Sequence, residues 1–168
     1  AWKSIDPTMA GIVDDTLKAS LLIDLAKLAN DIKLAAEGTA SERVMWEGTA
    51  YGYLKYISKD DMLRNTDIYS SLNTESIPVF QSLPLDLTVV AGVITEQPQT
   101  DLDHINLKSK QRNTPNVVFP NIMSSEFAEL VNRNALVKMS LNGDDVRIEV
   151  VDRQEAEIHW QSSRPPAI

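Results

Sequence analysis

The chain has 168 residues, a formal net charge of −8 and no cysteine. Its length fits one medium-sized domain with or without a helical extension, and its 43% apolar content is ordinary for a soluble globular protein. The acidic balance argues against nucleic acid or an anionic membrane as a partner, and the missing cysteines exclude thiol chemistry, disulfides and cysteine-bound metals.

The sequence shows no targeting or membrane-spanning pattern, and its C-terminal end is similar to a linker. The start does not resemble a signal peptide, and no apolar run approaches the roughly 20 residues of a membrane-spanning helix. We therefore expect a cytoplasmic protein that binds neither membranes nor nucleic acid. The chain begins with Ala1 rather than Met, and residues 162–168 contain a Pro pair after serines, which is typical of a linker. These features suggest a piece of a longer polypeptide.

Residues 1–45 are predicted to form a helical arm. Asp6 and Pro7 suit a helix start as cap and first helical residue, and Gly38 suits a helix end. Between them, large apolar residues recur three or four positions apart and line one helix face. These residues are Leu17, Leu21, Leu25, Leu28 and Ile32. Such a helix packs on a sheet or a neighbouring domain, or binds a partner.

The rest of the chain, from residue 46 to residue 161, is predicted to be one mixed α/β domain. Aromatic and β-branched residues, or continuous apolar runs, indicate strands at residues 49–58, 77–81, 88–95 and 116–119. A short capped helix is predicted after Ser58, and another helix from Ser124 to Val131.

The C-terminal part of this domain carries a strong hairpin signal. Asn142-Gly143 lies between two strand-like segments, residues 135–141 and 145–151. The acidic pairs of the chain indicate helix starts and turns rather than an acid/base couple. These pairs are Asp14-Asp15, Asp60-Asp61 and Asp144-Asp145.

His104 is the main candidate for chemistry. A helix is predicted to start near Asp101, whose side chain can cap the first amide groups. His104 then lies in the first turn, where unpaired amides and the helix dipole favour an anion. A histidine that accepts a phosphoryl group becomes an anionic phosphoramidate, so this position suits a phosphoryl carrier. Lys108 shares a helix face with His104, and its side chain leans toward the helix start.

His104 also fits a role without chemistry, since a histidine near a helix start is often a surface or capping residue. The chain has two histidines, so few other candidates exist, and a His-rich zinc site is not expected. His159 lies beside Trp160 in a polar stretch without a second titratable partner, and we expect it to be structural or incidental.

The stretch around His104 resembles a known motif. An apolar run that ends in Thr (residues 92–95) precedes a loop, then His104, then Thr114-Pro115 and the next strand. The spacing and order are similar to the phosphohistidine motif of phosphoenolpyruvate synthase, pyruvate phosphate dikinase and glucan water dikinase. The resemblance covers about residues 77–151. It implies a three-layer β/β/α swivelling domain over residues 46–161, preceded by the arm and followed by a linker.

The resemblance also implies a function. His104 would be the covalent nucleophile that carries a phosphoryl group from ATP to an acceptor such as pyruvate. Lys108, Lys110, Asp101 and Thr95 are the candidates for stabilising the phosphate. ATP and Mg²⁺ would bind to other domains of the same polypeptide, one for ATP and one for the acceptor. This chain would hold no metal or cofactor, and alone it would carry phosphate without turnover.

Several positions depart from the motif. Gln97-Pro98-Gln99 replaces the usual Gly-Gly, Leu102 replaces Thr, Asp103 replaces Ser or Cys, and Lys110 replaces Arg. A carboxylate at position 103 should repel an incoming phosphate, and Lys110 lacks the bidentate fork of Arg. Two alternatives therefore stay open: a catalytically degenerate swivelling domain that serves as a scaffold or docks its neighbours, and an unrelated acidic binding module.

Overall fold

A computed structural model describes residues 18–26, 29, 41–64 and 66–163 of the chain. The chain divides into two units, residues 1–40 and 41–168. In the first unit, residues 18–26 form a helix, α1, and residue 29 is also helical, which confirms the helix prediction there. Leu21 and Leu25 are exposed on α1. The other predicted helix positions, among them Leu17, Leu28, Ile32 and Gly38, lie outside the described residues.

The second unit contains seven strands and four helices among its described residues. The strands are β1 (Arg43–Trp46), β2 (Gly48–Ile57), β3 (Ser76–Phe80), β4 (Val93–Thr95), β5 (Asn116–Val118), β6 (Leu136–Asn142) and β7 (Asp145–Val150). The helices are α2 (Lys59–Arg64), α3 (His104–Arg112), α4 (Ala128–Asn132) and α5 (Arg153–Ser163). Two 3₁₀ segments, Thr66–Ser71 and Ile122–Ser124, complete the set.

The strands form one mixed sheet with the order β1-β5-β4-β3-β2-β6-β7. The four central strands, β5, β4, β3 and β2, run parallel to one another. The flanking pairs, β1 with β5, β2 with β6 and β6 with β7, are antiparallel. The mixed α/β class predicted from the sequence is therefore confirmed.

Both faces of the sheet carry helices. On one face Ile94, Val117 and Val137 pack with Val131 of α4. On the other face Phe80 and Val93 pack with Ile105 of α3. Strands β3, β4 and β5 are buried along their whole length, as expected for parallel strands covered on both sides. The described strands form one sheet, and α4 and the 3₁₀ segment Ile122–Ser124 pack on the face opposite α3. The finer three-layer β/β/α arrangement is therefore not confirmed.

Several local predictions are confirmed, and one helix prediction is confirmed only in part. Strands β2, β3 and β5 lie within a residue or two of their predicted bounds. The predicted cap at Ser58 is formed in both directions: Ser58 Oγ accepts a hydrogen bond from Asp61 N at 3.1 Å, and Ser58 N donates to Asp61 Oδ2 at 3.2 Å. The predicted helix over residues 124–131 is split into the second 3₁₀ segment and α4.

The strand predicted over residues 88–95 is shorter than expected. Only Val93–Thr95 joins the sheet, and the residues before it follow an irregular path. Gly92 lies so close to β2 and β6 that an added Cβ would be 2.6 Å from Met139 Cε and 2.9 Å from Ala50 Cβ. Val90 and Gly92 are buried, whereas Val89 is 56% exposed, so the apolar character of this segment reflects partial burial with little strand pairing before Val93.

The hairpin is confirmed, with its turn one residue later than predicted. Asn142 pairs with Asp145, so the two loop residues are Gly143 and Asp144. Gly143 has φ 59°, and Asp144 does not have a positive φ. This pattern matches a type II′ turn, in which glycine occupies the first central position.

The ends of the second unit differ from the predicted bounds. β1 begins at Arg43, inside the segment of residues 1–45 that was assigned to the arm. α5 was not predicted, and it continues to Ser163, inside the predicted linker. Only Ala156 and Trp160 are buried on α5, and two apolar residues four positions apart are a weak helix signal.

Candidate functional site around His104

His104 is the first residue of α3, a nine-residue helix, and its side chain is exposed. The helix cap is Asp103, two residues later than the predicted Asp101. The reason lies in the turn before the helix. There the Asp103 carboxylate accepts hydrogen bonds from Thr100 N at 2.5 Å and from Thr100 Oγ1 at 3.0 Å.

This turn leaves the start of α3 without a side-chain cap. Asp103 has an extended backbone (φ −66°, ψ 139°), and its carboxylate points back toward Thr100 and forms no bond to the first-turn amides. Asn106 Nδ2 donates to Thr100 O at 3.2 Å, which ties the turn to the helix. Uncapped amides beside an exposed imidazole favour an anion at this position. The adjacent Asp103 carboxylate opposes it.

Lys108 lies one turn after His104 and pairs with a residue far away in sequence. Its Nζ donates a hydrogen bond to Asp86 Oδ1, in the irregular segment before β4. This bond, together with one from Leu87 N, lowers the pKa of the Asp86 carboxyl. Arg112 Nη1 donates to Leu87 O at 2.7 Å. The segment around Asp86 is therefore fastened along α3.

Lys110 and Asp101 are brought together, at a distance of 3.9 Å between Nζ and Oδ1. The Asp101 side chain is 74% exposed and that of Lys110 38%. Of the four predicted phosphate-stabilising residues, the two lysines thus each have an aspartate partner, and Asp101 is one of those partners.

Thr95 is buried beneath the loop that leads to His104. Its Oγ1 donates to Gln97 O at 3.0 Å and accepts from Gln99 Nε2 at 2.8 Å. Gln99 and Asn116 also exchange two amide hydrogen bonds, at 2.9 Å and 2.8 Å. All three side chains are at most 1% exposed. Thr95 therefore helps to fix the path of the loop through hydrogen bonds on its buried side.

Sequence reasoning missed Gln99, Asn116 and Asp86. A polar residue at the start of an apolar strand, such as Asn116, is a usable signal, because buried amides need partners. Gln99 and Asp86 lie in irregular segments, where the sequence carries no periodic pattern that marks a buried or paired side chain.

His159 has the structural role that the sequence suggested. Its ring stacks on Tyr51, with 4.5 Å between centroids and 29° between planes. Trp160 Nε1 donates to Tyr51 O at 2.8 Å, and Tyr51 Oη donates to Glu155 Oε1 at 3.1 Å. These contacts hold α5 against β2.

Within the described part of the chain, no group of three or more His, Asp or Glu side chains could hold a metal ion. The helices of that part are too short or too polar to cross a membrane. No protein-family model matches the chain, and no curated protein sequence matches it.

Proposed function

We propose that this chain is a phosphoryl-carrier domain of the phosphoenolpyruvate synthase and dikinase type. His104 would accept a phosphoryl group from ATP bound on another domain and pass it to an acceptor such as pyruvate on a third. One observation carries the proposal: the exposed His104 imidazole lies at the first position of a helix whose amides have no side-chain cap. Because ATP is the donor, the proposed location is the cytoplasm.

The proposed chemistry follows from this position. The lone pair of an unprotonated ring nitrogen attacks phosphorus, and the bond from phosphorus to the leaving oxygen of ATP breaks. The product is an anionic phosphohistidine, which the positive end of α3 stabilises. Other domains supply the ATP and Mg²⁺ sites. In the transfer to the acceptor, an oxygen of the acceptor attacks phosphorus and forms the new phosphorus–oxygen bond. The phosphorus–nitrogen bond breaks, and the imidazole regains its lone pair.

The proposal includes the swivelling type of fold. Support comes from the order of elements: parallel strand β4, loop, His104, α3, the next parallel strand β5, and a late antiparallel hairpin. Rotation of the whole domain would present the same imidazole to two distant sites, which replaces diffusion of a free intermediate.

A second candidate function is a swivelling domain that has lost its chemistry and docks neighbouring domains. The charged groups around His104 favour this docking function, because they are poorly arranged to bind a phosphate. Asp103 places a negative charge beside the imidazole, and Lys108 and Lys110 already have aspartate partners. The two candidates differ in whether His104 is phosphorylated.

The test combines this chain with the ATP-binding domain of its own polypeptide, Mg²⁺, and ATP labelled at the β or the γ position in turn. We expect acid-labile, base-stable label on the chain, lost in His104→Ala and retained in His159→Ala. The position of the label separates dikinase transfer from ordinary kinase transfer. An active ATP-binding domain that leaves the chain unlabelled would exclude the carrier and favour the docking function.

A further inference from the structure

Lys108, the lysine that shares a helix face with His104, is already paired with Asp86. Along an α-helix, Lys108 is rotated only about 40° from His104 and lies one turn away, whereas Lys110 is rotated about 240°. Lys108 Nζ donates a hydrogen bond to Asp86 Oδ1. The nearest cation on the His104 face is therefore already neutralised by a carboxylate.

The Asp86 carboxylate is placed so that another anion can replace it at Lys108. The Asp86 side chain is 73% exposed and that of Lys108 30%. The backbone on the C-terminal side of Asp86 is held independently, because Leu87 is 2% exposed and its carbonyl oxygen accepts a hydrogen bond from Arg112. Loss of the ion pair would leave the Asp86 carboxylate with its hydrogen bond from Leu87 N and would not detach the segment. Leu85, which precedes it, is 94% exposed and adds no anchor.

We propose that Asp86 is a resident anion that competes with the phosphoryl group on His104 for the Lys108 ammonium. Phosphorylation transfers Lys108 from Asp86 to the phosphoryl oxygens, and dephosphorylation returns it. This inference rests on the proposed carrier function and adds a control of the same site. A phosphoryl group bears more negative charge than one carboxylate and lies at the positive end of α3, so it wins the competition once it is attached.

The test uses the full chain and phosphoramidate as the donor, so that no ATP-binding domain is required. The lone pair of a His104 ring nitrogen attacks phosphorus, the phosphorus–nitrogen bond of phosphoramidate breaks, and the leaving nitrogen departs as ammonia with the protons it carried. The rate is measured as acid-labile phosphate on His104, with His104→Ala to subtract any label on His159.

The variant of interest is Asp86→Asn, which keeps the oxygen that accepts from Leu87 N and removes the charge. Asp145→Asn is the matched control, because it removes the same charge from another exposed ion pair, that with Arg147. We expect phosphorylation to be about twofold to fivefold faster in Asp86→Asn, the range that an exposed ion pair allows. Asp145→Asn should change the rate by less than about twofold, because Asp145 lies on β7, at the opposite end of the sheet from β4 and β5, which α3 connects.

A second background isolates Lys108. In Lys108→Ala, the added Asp86→Asn change should have no further effect on the rate, because the ammonium that both anions seek is gone. In the wild-type chain, the NMR signal of the Lys108 ammonium should shift on phosphorylation. In Asp86→Asn, the Lys108 ammonium signal should differ from that of the wild type even before phosphorylation, because the ion pair is absent.

Equal rates in the Asp86 and Asp145 variants would overturn the inference, as would an Asp86→Asn effect that persists without Lys108. Failure of phosphoramidate to modify His104 in every variant would also overturn it, since no phosphoryl group could then compete for Lys108. These outcomes are separate from the proposed function, which depends on label passing from ATP. The exchange can be present in a chain that ATP does not label, and ATP can label a chain in which Asp86 has no influence.

Discussion

Tyr56 lies on β2 and contacts the beginning of the loop that leads from β4 to His104. Its hydroxyl donates a hydrogen bond to Glu96 Oε2 at 3.0 Å, and Glu96 directly follows Thr95 at the end of β4. Burial, then the hydrogen bond to Glu96, raise the pKa of Tyr56 to about 12. The contact thus connects β2 to the first residue of the loop.

This contact predicts how alkaline pH acts on the fold. Because the pKa of Tyr56 is raised from an ordinary value of 10.0, its contribution to stability is complete below about pH 10 and is lost as the pH rises through about 12. Glu96→Gln removes the carboxylate charge and should lower the Tyr56 pKa toward its ordinary value, although burial keeps it raised. Tyrosine-labelled NMR spectra over an alkaline titration measure this directly, with Tyr56→Phe to assign the signal. An unchanged Tyr56 pKa in Glu96→Gln would contradict the role given to the carboxylate.

At the scale of elements, the loop between β4 and α3 is held from inside the protein. Gln99 lies in the middle of this loop and reaches both neighbouring strands: Thr95 ends β4, and Asn116 begins β5. A glutamine amide suits this place because it donates and accepts at once, so the reciprocal pair with Asn116 leaves neither amide without a partner. The loop that leads to His104 thereby obtains a fixed path without glycine residues.

Gln99→Met keeps the length of the side chain and removes both its donor and its acceptor. We expect the free energy of unfolding to fall by about 1–3 kcal/mol, because the Asn116 amide stays buried without its partner. Urea unfolding measures the change, and Gln111→Met, at an exposed position of α3, should stay within about 0.5 kcal/mol of the wild type.

A double variant separates the pair from simple loss of packing. Gln99→Met combined with Asn116→Leu should lose less stability than the sum of the two single changes, because two apolar side chains leave no unpaired amide. Additive losses, or a Gln99→Met variant as stable as Gln111→Met, would show that the amide pair does not hold the loop.

For the whole molecule, local patterns predicted the elements better than they predicted the site. Alternation and apolar runs located β2, β3 and β5, and Asn142-Gly143 located the hairpin, because these signals act over a few neighbouring residues. The irregular path of residues 88–92 was missed, since a partly buried irregular run and a paired strand can have the same apolar composition. α5 was missed because only Trp160 and Ala156 of that helix are buried.

The site was predictable only in part for a related reason. His104 could be assigned to a first helical turn from the loop and helix signals around it. Its surroundings depend on partners distant in sequence: Lys108 and Asp86 are 22 residues apart, and Gln99 and Asn116 are 17 apart. The helix cap is Asp103 rather than the predicted Asp101, because the Asp103 carboxylate accepts a hydrogen bond from Thr100 N in the turn before the helix. Helix propensity alone does not distinguish these two aspartates.

The second unit contains its own core, which predicts that it folds alone. All three hydrophobic clusters of the described residues lie between residues 44 and 160. A chain of residues 41–168 should therefore unfold cooperatively in urea, with a near-ultraviolet circular dichroism signal from Trp46 and the buried Trp160. A matched chain of residues 41–152, which lacks α5, should be less stable, because Tyr51 loses its contacts with Trp160 and His159. Absence of a cooperative transition in the longer chain would mean that residues 1–40 are needed to complete the fold.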